Sequence, residues 1–425
     1  MYVNIIGAGL AGVEASYYLA NKNIKVRLYE MRPKKFTEAH KTPLFAELVC
    51  SNSLRSSDPL NAVGMLKEEL TLLDSLVMEA ALKTQVEAGS SLAVDRTLFS
   101  TYITGKLIFH PNIEVIHEEV TTIDPNQPTI IATGPLISEP LRNHLKDLLK
   151  LDELHFYDAV APIIEESSID KSICYLKSRY DKGEAAYLNC PMTYDQYKAF
   201  HEALVSAEVA PLKDFELNVF EGCLPIEVMA KRGFDTLTYG PLKPVGLEKD
   251  NKPFAVVQLR QDDALKSMYN MVGFQTNLKF GEQRRIIKMI PGLENANILR
   301  YGVMHQNTYF NSPKVLNACY QVKDLPNVFI AGQLSGVEGY VESASSGLSC
   351  AYHMYRYLNN LKLTPFPNTT IIGALAHYIA TPNSKFNPMN ANLGLLSPLE
   401  KHKKSQRRQL YHTRSIETLK DYLNG

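Results

Sequence analysis

Short apolar runs that end in glycine turns occur near both ends of the chain. The opening segment, YVNIIGAGLAGVEASYYLANKNIKVRLYE, passes from an apolar strand pattern through a helical run into a second strand pattern. Two further apolar runs, Thr129–Ala132 and Val328–Ala331, also end at glycines. Runs of this length bounded by glycine are typical of buried strands in a parallel sheet. The pattern therefore predicts an α/β fold that is built from both ends of the chain.

The first turn carries the spacing of a dinucleotide-binding loop. Gly7, Gly9 and Gly12 form G-x-G-x-x-G between the first strand and the first helix, with Ala8, Leu10 and Ala11 between them. Such glycines allow a tight turn, backbone approach to a pyrophosphate and close helix–strand packing. Glu30 ends the second strand, where an acid accepts a hydrogen bond from a ribose hydroxyl. We predict an adenine dinucleotide site here.

Two later segments favour FAD over NAD. The strand Thr129–Ala132 ends in Thr133 and Gly134, and this ATG pattern is similar to a strand that lies beside FAD in two-dinucleotide-binding flavoproteins. The strand Val328–Ala331 enters a glycine-rich loop that leads into a helix, as the late AG loop of those proteins does. Glycines within a helix are costly and imply close approach of a backbone or ligand. The predicted flavin residues of this loop are Gly332, Gln333, Gly336 and Gly339, with Gln333 at a position usually held by an acid.

Because the early and late flavin elements are so far apart, the FAD domain must be discontinuous. We predict a Rossmann-like, two-dinucleotide-binding FAD domain formed by 1–155 and 305–425, with an α+β domain inserted at 156–304. The inserted part contains the helical stretch TYDQYKAFHEALVSAE and the strand-like PFAVVQLRQ. No internal repeat is visible, which excludes a solenoid.

The amino-acid composition narrows the class of protein further. The chain has 45% hydrophobic and 21% charged residues, which is ordinary for a globular protein, and no window resembles a membrane helix. Lys+Arg and Asp+Glu are both 45, so any surface for nucleic acid must be a local patch. Six cysteines form no CxxC pair and no zinc-like spacing, so we expect no metal. With no leader pattern at the N-terminus, we expect a cytoplasmic protein.

Two cysteines lie in settings that need an explanation. Cys223 lies in FELNVFEGCLPIEVMAKRG, and Cys50 precedes the polar turn Ser51–Ser53 and Arg55. A free cysteine usually packs as a small apolar side chain, but a thiolate is also a strong nucleophile. Acidic and basic residues both flank Cys223, and from these residues alone it could be a packed thiol, a ligand or a nucleophile.

The chain resembles the folate- and flavin-dependent tRNA uracil-5-methyltransferases. Blocks similar to that family run through nearly the whole chain in family order: AELVCSNSLRS, NAVGMLKEE, GSSLAVDR, YLNCPMT, FEGCLPIEVMAKRG, GPLKPVGL, VVQLRQD, GLENA, RYGVMH and AGQLSGVEGYVESASSGL. The last block is also similar to the larger GidA-type tRNA-modifying flavoproteins. Those proteins are the alternative, as flavin-dependent uridine modifiers without folate methyl transfer, but they offer no reason for the two cysteine blocks.

The resemblance implies a one-carbon transfer from methylenetetrahydrofolate to carbon 5 of a uridine in the tRNA T-loop. Reduced FAD is the implied carrier and reductant, and NADH or NADPH the implied electron source. A thiolate that adds to carbon 6 of uracil makes carbon 5 nucleophilic, and the family position for this thiol is Cys223. Cys50 is the implied second catalytic thiol. The implied substrate contacts are Tyr340, Asn277, Phe280 and Arg55.

The chain departs from the family pattern at three positions. Asn277 and Phe280 stand where the resemblance leads us to expect a histidine and a tryptophan, and Gln306 stands where it leads us to expect an arginine. The family histidine is expected to stack on the folate, and asparagine has no ring for that role. These departures leave two interpretations open, neutral drift or a paralogue that methylates a uridine of ribosomal RNA.

Overall fold

The computed structural model describes residues 2–151, 153–181, 184–211, 224–249, 252–384, 386–400 and 402–424. The side chains of 153–158 and 305–306 lie outside this description, as does all of 212–223, which includes the predicted nucleophile Cys223.

Strands and helices alternate along the first part of the chain. The strands are β1 Tyr2–Ile6, β2 Lys25–Tyr29, β3 Ser53–Ser56, β4 Gln85–Val86, β5 Ser91–Val94, β6 Ile113–Ile116, β7 Thr129–Ile131, β8 Glu153–Ala159, β9 Ile163–Glu165, β10 Tyr175–Leu176, β11 Tyr187–Met192, β12 Ala255–Gln261, β13 Met268–Met271, β14 Ile298–Arg300, β15 Met304–Phe310, β16 Gln321–Val322 and β17 Leu325–Ile330. The helices are α1 Leu10–Asn21, α2 Ala62–Leu72, α3 Leu76–Lys83, α4 Arg96–Ile108, α5 Glu139–Leu149, α6 Tyr194–Ser206, α7 Ile226–Lys231, α8 Thr236–Tyr239, α9 Phe280–Ile287, α10 Ser312–Val315, α11 Tyr340–Leu358, α12 Ile371–Ala380 and α13 Arg407–Asn424.

A six-stranded sheet joins the two ends of the chain. Its order is β16-β17-β7-β1-β2-β6, and all neighbours from β17 to β6 run parallel. Ile5 of β1 lies opposite Ile130 of β7, which lies opposite Phe329 of β17, and all three are fully buried. Buried side chains on both faces explain why these strands are continuous apolar runs. The predicted α/β fold class with a Rossmann-like FAD domain is confirmed.

Helices α1 and α11 pack against each other on one face of this sheet. Their approach depends on glycine, because a Cβ at Gly347 would lie 2.0 Å from the carbonyl oxygen of Ala11. A Cβ at Gly12 would lie 1.8 Å from the carbonyl oxygen of Gly7. The close contact brings the N-termini of both helices to the same edge of the sheet.

The middle of the chain forms a second sheet with its own core. Its order is β10-β11-β12-β13-β9-β14, with antiparallel neighbours throughout. Apolar side chains of this sheet and of α6, α7 and α9 form a separate hydrophobic cluster. Strands β8 and β15, which lead into and out of this region, pair with each other from Glu153↔Phe310 to Ala159↔Met304. The domain limits at 155/156 and 304/305 stay a prediction, and both lie within this ladder.

A small sheet, β3-β5-β4, lies beside the region that carries Cys50. Asp95 follows β5 and caps α4 by accepting the backbone N–H of Leu98 at 2.9 Å. The cap fixes Arg96 as the first residue of α4. In the described part of the chain, no helix combines the length and apolar character that crossing a membrane requires.

Candidate active site

A pocket opens where the carboxyl ends of β1, β7 and β17 meet. Each of these strands is followed closely by a glycine, namely Gly7, Gly134 and Gly332. Ligands of open α/β sheets bind at this edge, outside the carboxyl ends of the strands. Eight of the predicted cofactor residues and the predicted substrate contact Tyr340 line the pocket; the eight are Gly7, Gly9, Leu10, Ala11, Glu30, Gly134, Gly332 and Gln333.

Two glycines on the pocket wall leave room for a ligand. A Cβ at Gly9 would find no protein atom closer than 4.0 Å, and one at Gly134 would find none within 4 Å. Both glycines therefore border open space and leave their backbone accessible to a ligand. The buried hydroxyl of Thr133 between them has no hydrogen-bond partner among the described residues. A buried polar group without a partner is unusual, and Thr133 is one of the residues that line the pocket.

Glu30 lines the pocket, at the end predicted to hold the adenosine, but is engaged within the protein. Its carboxylate accepts hydrogen bonds from Arg32 at 2.9 and 3.0 Å and from the backbone N–H of Ala8 at 3.1 Å. Burial raises the pKa of Glu30, but the hydrogen bonds and charge of Arg32 outweigh burial and hold the pKa below its ordinary value. Arg32 is itself buried and also pairs with Glu47 at 3.3 Å. The ribose contact of Glu30 stays a prediction, and sequence reasoning missed Arg32.

Four predicted cofactor residues do not line the pocket, namely Ala8, Gly12, Gly336 and Gly339. Ala8 acts through its backbone, whose N–H donates to Glu30 at 3.1 Å. Gly12 serves the packing described above. Gly336 and Gly339 have φ values of +88° and +112°, which residues with a side chain rarely adopt. A Cβ at Gly336 would collide with Phe386, and one at Gly339 would collide with Glu342. These two glycines therefore let the loop before α11 close tightly, and any contact they make with FAD stays a prediction.

The turn that carries Cys50 is held by Tyr340. The Tyr340 hydroxyl accepts the backbone N–H of Cys50 at 2.8 Å and that of Ser51 at 3.1 Å. Tyr340 is the first residue of α11 and also lines the pocket. The half-buried Cys50 thus lies beside the rim of the predicted flavin site, as a catalytic thiol would.

Arginines hold the carbonyl groups of the same turn. Arg96 donates to the carbonyl of Leu48 at 2.6 Å and to that of Cys50 at 3.4 Å, and it pairs with the buried Asp262 at 2.9 Å. Arg300 of β14 donates to the carbonyl of Val49 at 2.7 Å. The turn is therefore fixed from both regions of the fold, and its position depends on how they are packed.

A third arginine completes this arrangement. Arg260 of β12 donates to the hydroxyl of Ser51 at 2.6 Å and to the side-chain oxygen of Asn52 at 3.1 Å. Asn52 in turn donates to the carbonyls of Val94 and Gln261 at 3.0 and 2.9 Å. Sequence reasoning missed Arg96, Arg260 and Arg300 as site residues, although each lies in one of the family-like blocks.

Arg55, a predicted substrate contact, forms an ion pair with Glu342. The Arg55 side chain is 39% exposed, whereas Glu342, in the first turn of α11, is fully buried. Lys67 donates to the carbonyls of Arg55 and Ser56 at 3.2 and 2.7 Å. Burial, helped by the charge of Arg55, lowers the pKa of Lys67 to about 8. This cluster fixes the strand that follows the Cys50 turn.

The structure places Asn277 away from open space. Its backbone N–H donates to the buried Glu227 at 2.8 Å, and its side chain donates to the carbonyl of Ala210 at 3.0 Å. Burial raises the pKa of Glu227, which also accepts the hydroxyl of Thr276 at 2.8 Å. The expected role of Asn277 in substrate binding stays a prediction, but the described contacts give its side chain a structural role.

Phe280 does lie at the surface, where its side chain is 56% exposed. Its ring stacks on Tyr301 with centroids 4.7 Å apart. The side chain of Gln306 and all of Cys223 lie outside the described residues, so their predicted roles stay predictions. Within the described ranges, no group of three His, Cys, Asp or Glu residues could hold a metal ion.

Together, the parallel sheet, the glycine cradle and the late loop leading into α11 define a two-dinucleotide-binding flavoprotein. The family model described as glucose inhibited division protein A matches residues 2–362. The chain belongs to that family and, by its relatives, to the TrmFO branch of it. The resemblance inferred from the sequence is confirmed.

Two relatives named methylenetetrahydrofolate--tRNA-(uracil-5-)-methyltransferase TrmFO match along nearly their whole length. The protein from Acholeplasma laidlawii (strain PG-8A) is 61% identical over 425 residues, covering 100% of this chain and 99% of the relative. That of Bacillus subtilis (strain 168) is 58% identical over 424 residues, covering 98% and 97%. A crystal structure of Aquifex aeolicus GidA matches with a TM-score of 0.69 over 89% of this chain and 67% of that one; at 16% identity it supports the fold alone.

Proposed function

We propose that this protein methylates carbon 5 of a tRNA uridine, with methylenetetrahydrofolate as the carbon donor and FAD as its cofactor. The observation that carries the proposal is the 61% identity, along the whole chain, to a relative named for this reaction. The geometry supports it, because the half-buried Cys50 lies in a turn tied to the rim of the pocket by Tyr340. We place the reaction in the cytoplasm, since the cysteine usage suits a reducing compartment.

The pocket residues would hold FAD through backbone and hydroxyl groups. Gly9 and Gly134 leave room for the pyrophosphate, and the unpartnered hydroxyl of Thr133 can hydrogen-bond to the ligand. FAD and the folate supply the one-carbon unit and the reducing electrons, with NADH or NADPH as the proposed electron source. The protein's part is to place uridine, folate and thiols in one water-poor site.

The thiols would do the covalent chemistry on uracil. The Cys223 thiolate adds to carbon 6, which makes carbon 5 nucleophilic enough to take the one-carbon unit. A base then removes the carbon 5 proton and the bond from sulfur to carbon 6 breaks, with reduced FAD, when bound, supplying the hydride equivalent that takes the transferred carbon from methylene to methyl. We assign the second thiol, Cys50, to this proton transfer, because its turn is held rigidly by Tyr340, Arg96 and Arg300. A T-loop uridine is the proposed target.

The reaction is tested with FAD-loaded protein, labelled methylenetetrahydrofolate, NADH or NADPH, and unmodified tRNA. We expect labelled 5-methyluridine in the tRNA and none when folate is omitted. A parallel reaction on unmodified ribosomal RNA tests the alternative target. Label in ribosomal RNA alone would redirect the proposal, and a flavin-dependent uridine change without folate label would support a GidA-type activity instead.

A further inference from the structure

Two stacked aromatic rings lie on the surface close to the Cys50 turn. Phe280 begins α9 and is 56% exposed, and its ring lies on that of Tyr301 at a centroid distance of 4.7 Å and an interplanar angle of 27°. Offset stacking of this kind leaves the outer face of the exposed ring for another planar group.

The pair is held in place from below. The buried Gln283 donates to the carbonyls of Leu278 and Gly302 at 2.7 and 2.8 Å, and its side-chain oxygen accepts the N–H of Gly302 at 2.8 Å. These bonds join the start of α9 to the segment after β14. The two rings are therefore fixed before any ligand arrives, which lowers the entropy cost of binding.

A cation lies beside the rings. Arg284 donates to the Tyr301 hydroxyl through two nitrogens, at 2.9 and 3.2 Å. Its neighbour Arg285 is paired with Glu282, whereas no carboxylate pairs with Arg284 among the residues that the structure describes. A guanidinium of this kind is suited to a phosphate next to a stacked base.

The same segment reaches the thiol turn. Arg300, directly before Tyr301, donates to the carbonyl of Val49, and Val49 directly precedes Cys50. A base that stacks on Phe280 would thus lie beside a segment that is hydrogen-bonded to the turn carrying Cys50. Proteins that bind single-stranded nucleic acid stack bases on aromatic rings and place cations against the phosphate backbone. The fixed aromatic pair and the cation beside it form a site of this kind.

We propose that Phe280 and Tyr301 form a stacking platform for an RNA base that neighbours the methylated uridine, with Arg284 facing the adjoining phosphate. This inference rests on the proposed function and specifies how its RNA partner docks. It assigns Phe280 to the RNA and not to the folate.

The chain contains no tryptophan, so Phe280→Trp introduces a single fluorescent probe into the platform. With the FAD-loaded protein and an unmodified T-loop RNA hairpin, we expect saturable quenching of the emission from the introduced indole. The control is Phe109→Trp. Phe109 is 87% exposed and directly follows the last residue of α4, whereas Arg96 is the first residue of that helix. The emission of this control variant should not change with RNA.

Affinity provides the second measurement. In Phe280→Ala we expect the RNA Kd to rise about tenfold, the folate KM to stay as in the wild type, and Phe280→Trp to bind RNA normally. A raised folate KM with an unchanged RNA Kd would overturn the inference, as would unquenched emission in Phe280→Trp at saturating RNA. If the wild type itself neither bound nor methylated RNA, the proposed function would fail, and this inference with it.

Discussion

The hydroxyl of Tyr340 lies 2.8 Å from the backbone nitrogen of Cys50 and accepts its hydrogen bond. Tyr340 also accepts the N–H of Ser51, so one side chain satisfies two consecutive donors of the turn. Burial raises the pKa of Tyr340 above its ordinary value, and the charge of the neighbouring Cys50 raises it further. The hydroxyl therefore stays protonated at neutral pH. A single residue thus joins the pocket to the thiol turn.

Tyr340→Phe removes the acceptor and keeps the ring. Leaving a buried donor unsatisfied costs about 1–3 kcal/mol, so we expect the turn to loosen and methyl transfer to fall about ten- to hundredfold, with FAD still bound. The matched control is Tyr378→Phe, since that hydroxyl donates to the carbonyl of Asn387 at 2.8 Å and does not line the pocket. Wild-type turnover in Tyr340→Phe would show that the turn holds its position without this contact.

Gly9→Val should give a folded but colourless protein. A Cβ at Gly9 meets no protein atom closer than 4.0 Å, so the side chain fits the apoprotein and enters the space predicted for the pyrophosphate. Gly105→Val is the control, because a Cβ there also meets nothing within 4 Å but lies in α4, outside the pocket. Flavin absorbance per mole of protein measures the effect, and a yellow Gly9→Val protein would contradict the placement of FAD.

Cys223→Ala should abolish covalent capture of RNA. RNA containing 5-fluorouridine leaves no removable proton at carbon 5, so the thiolate that adds to carbon 6 stays attached. We expect the wild type to form a protein–RNA band under denaturing electrophoresis and Cys223→Ala to form none. Capture that persists in Cys223→Ala and disappears in Cys50→Ala would exchange the roles of the two thiols.

Asn277→His should bring no gain in folate affinity. Asn277 is buried, and its backbone and side chain bond to Glu227 and Ala210. A larger ring at this position has to displace those contacts, and overpacking of this kind costs about 1–3 kcal/mol. We expect a lower urea midpoint and an unchanged or higher folate KM. Tighter folate binding in Asn277→His would instead support an open, ligand-facing position.

Deprotonation of Glu69 should make the fold less stable as the pH rises. Its buried carboxyl group caps α12 by accepting the N–H of Ile371 at 2.7 Å and of Ile372 at 2.8 Å, and it also bonds to Ser415. Burial raises the pKa of Glu69 to about 7, although these bonds lower it in part. In the unfolded chain the same group titrates near its ordinary value, so between about pH 4.5 and 7 the folded state binds the extra proton.

The stability that this proton contributes is therefore fully present below about pH 4.5 and is lost as the pH rises through 7. The urea midpoint of the wild type should fall across this range, and Glu69→Gln should show a smaller fall because its side chain does not titrate. Glu139→Gln at the exposed start of α5 serves as the control and should follow the wild type. An identical pH profile in Glu69→Gln would show that Glu69 is ionised throughout.

The parts of the site that sequence reasoning found are those set by local spacing. Gly7, Gly9 and Gly134 follow directly from strand–turn patterns, and the structure lines the pocket with all three. The arginines that fix the Cys50 turn follow no such pattern, because Arg96 and Arg300 act on carbonyls 46 and 251 residues away along the chain. Only the packing of two sheets brings these groups together.

The pairing of β7 with β17 has a consequence for synthesis on the ribosome. Thr129 and Val328 are neighbours in the sheet, yet the intervening region of about 200 residues takes roughly 10–40 s to translate at 5–20 residues per second. During that interval β7 presents an unpaired apolar edge, which is the kind of surface that pairs with other chains. The growing chain therefore passes through a stage in which its nucleotide-binding half is synthesised but incomplete, and shielding of that edge by chaperones would favour its maturation.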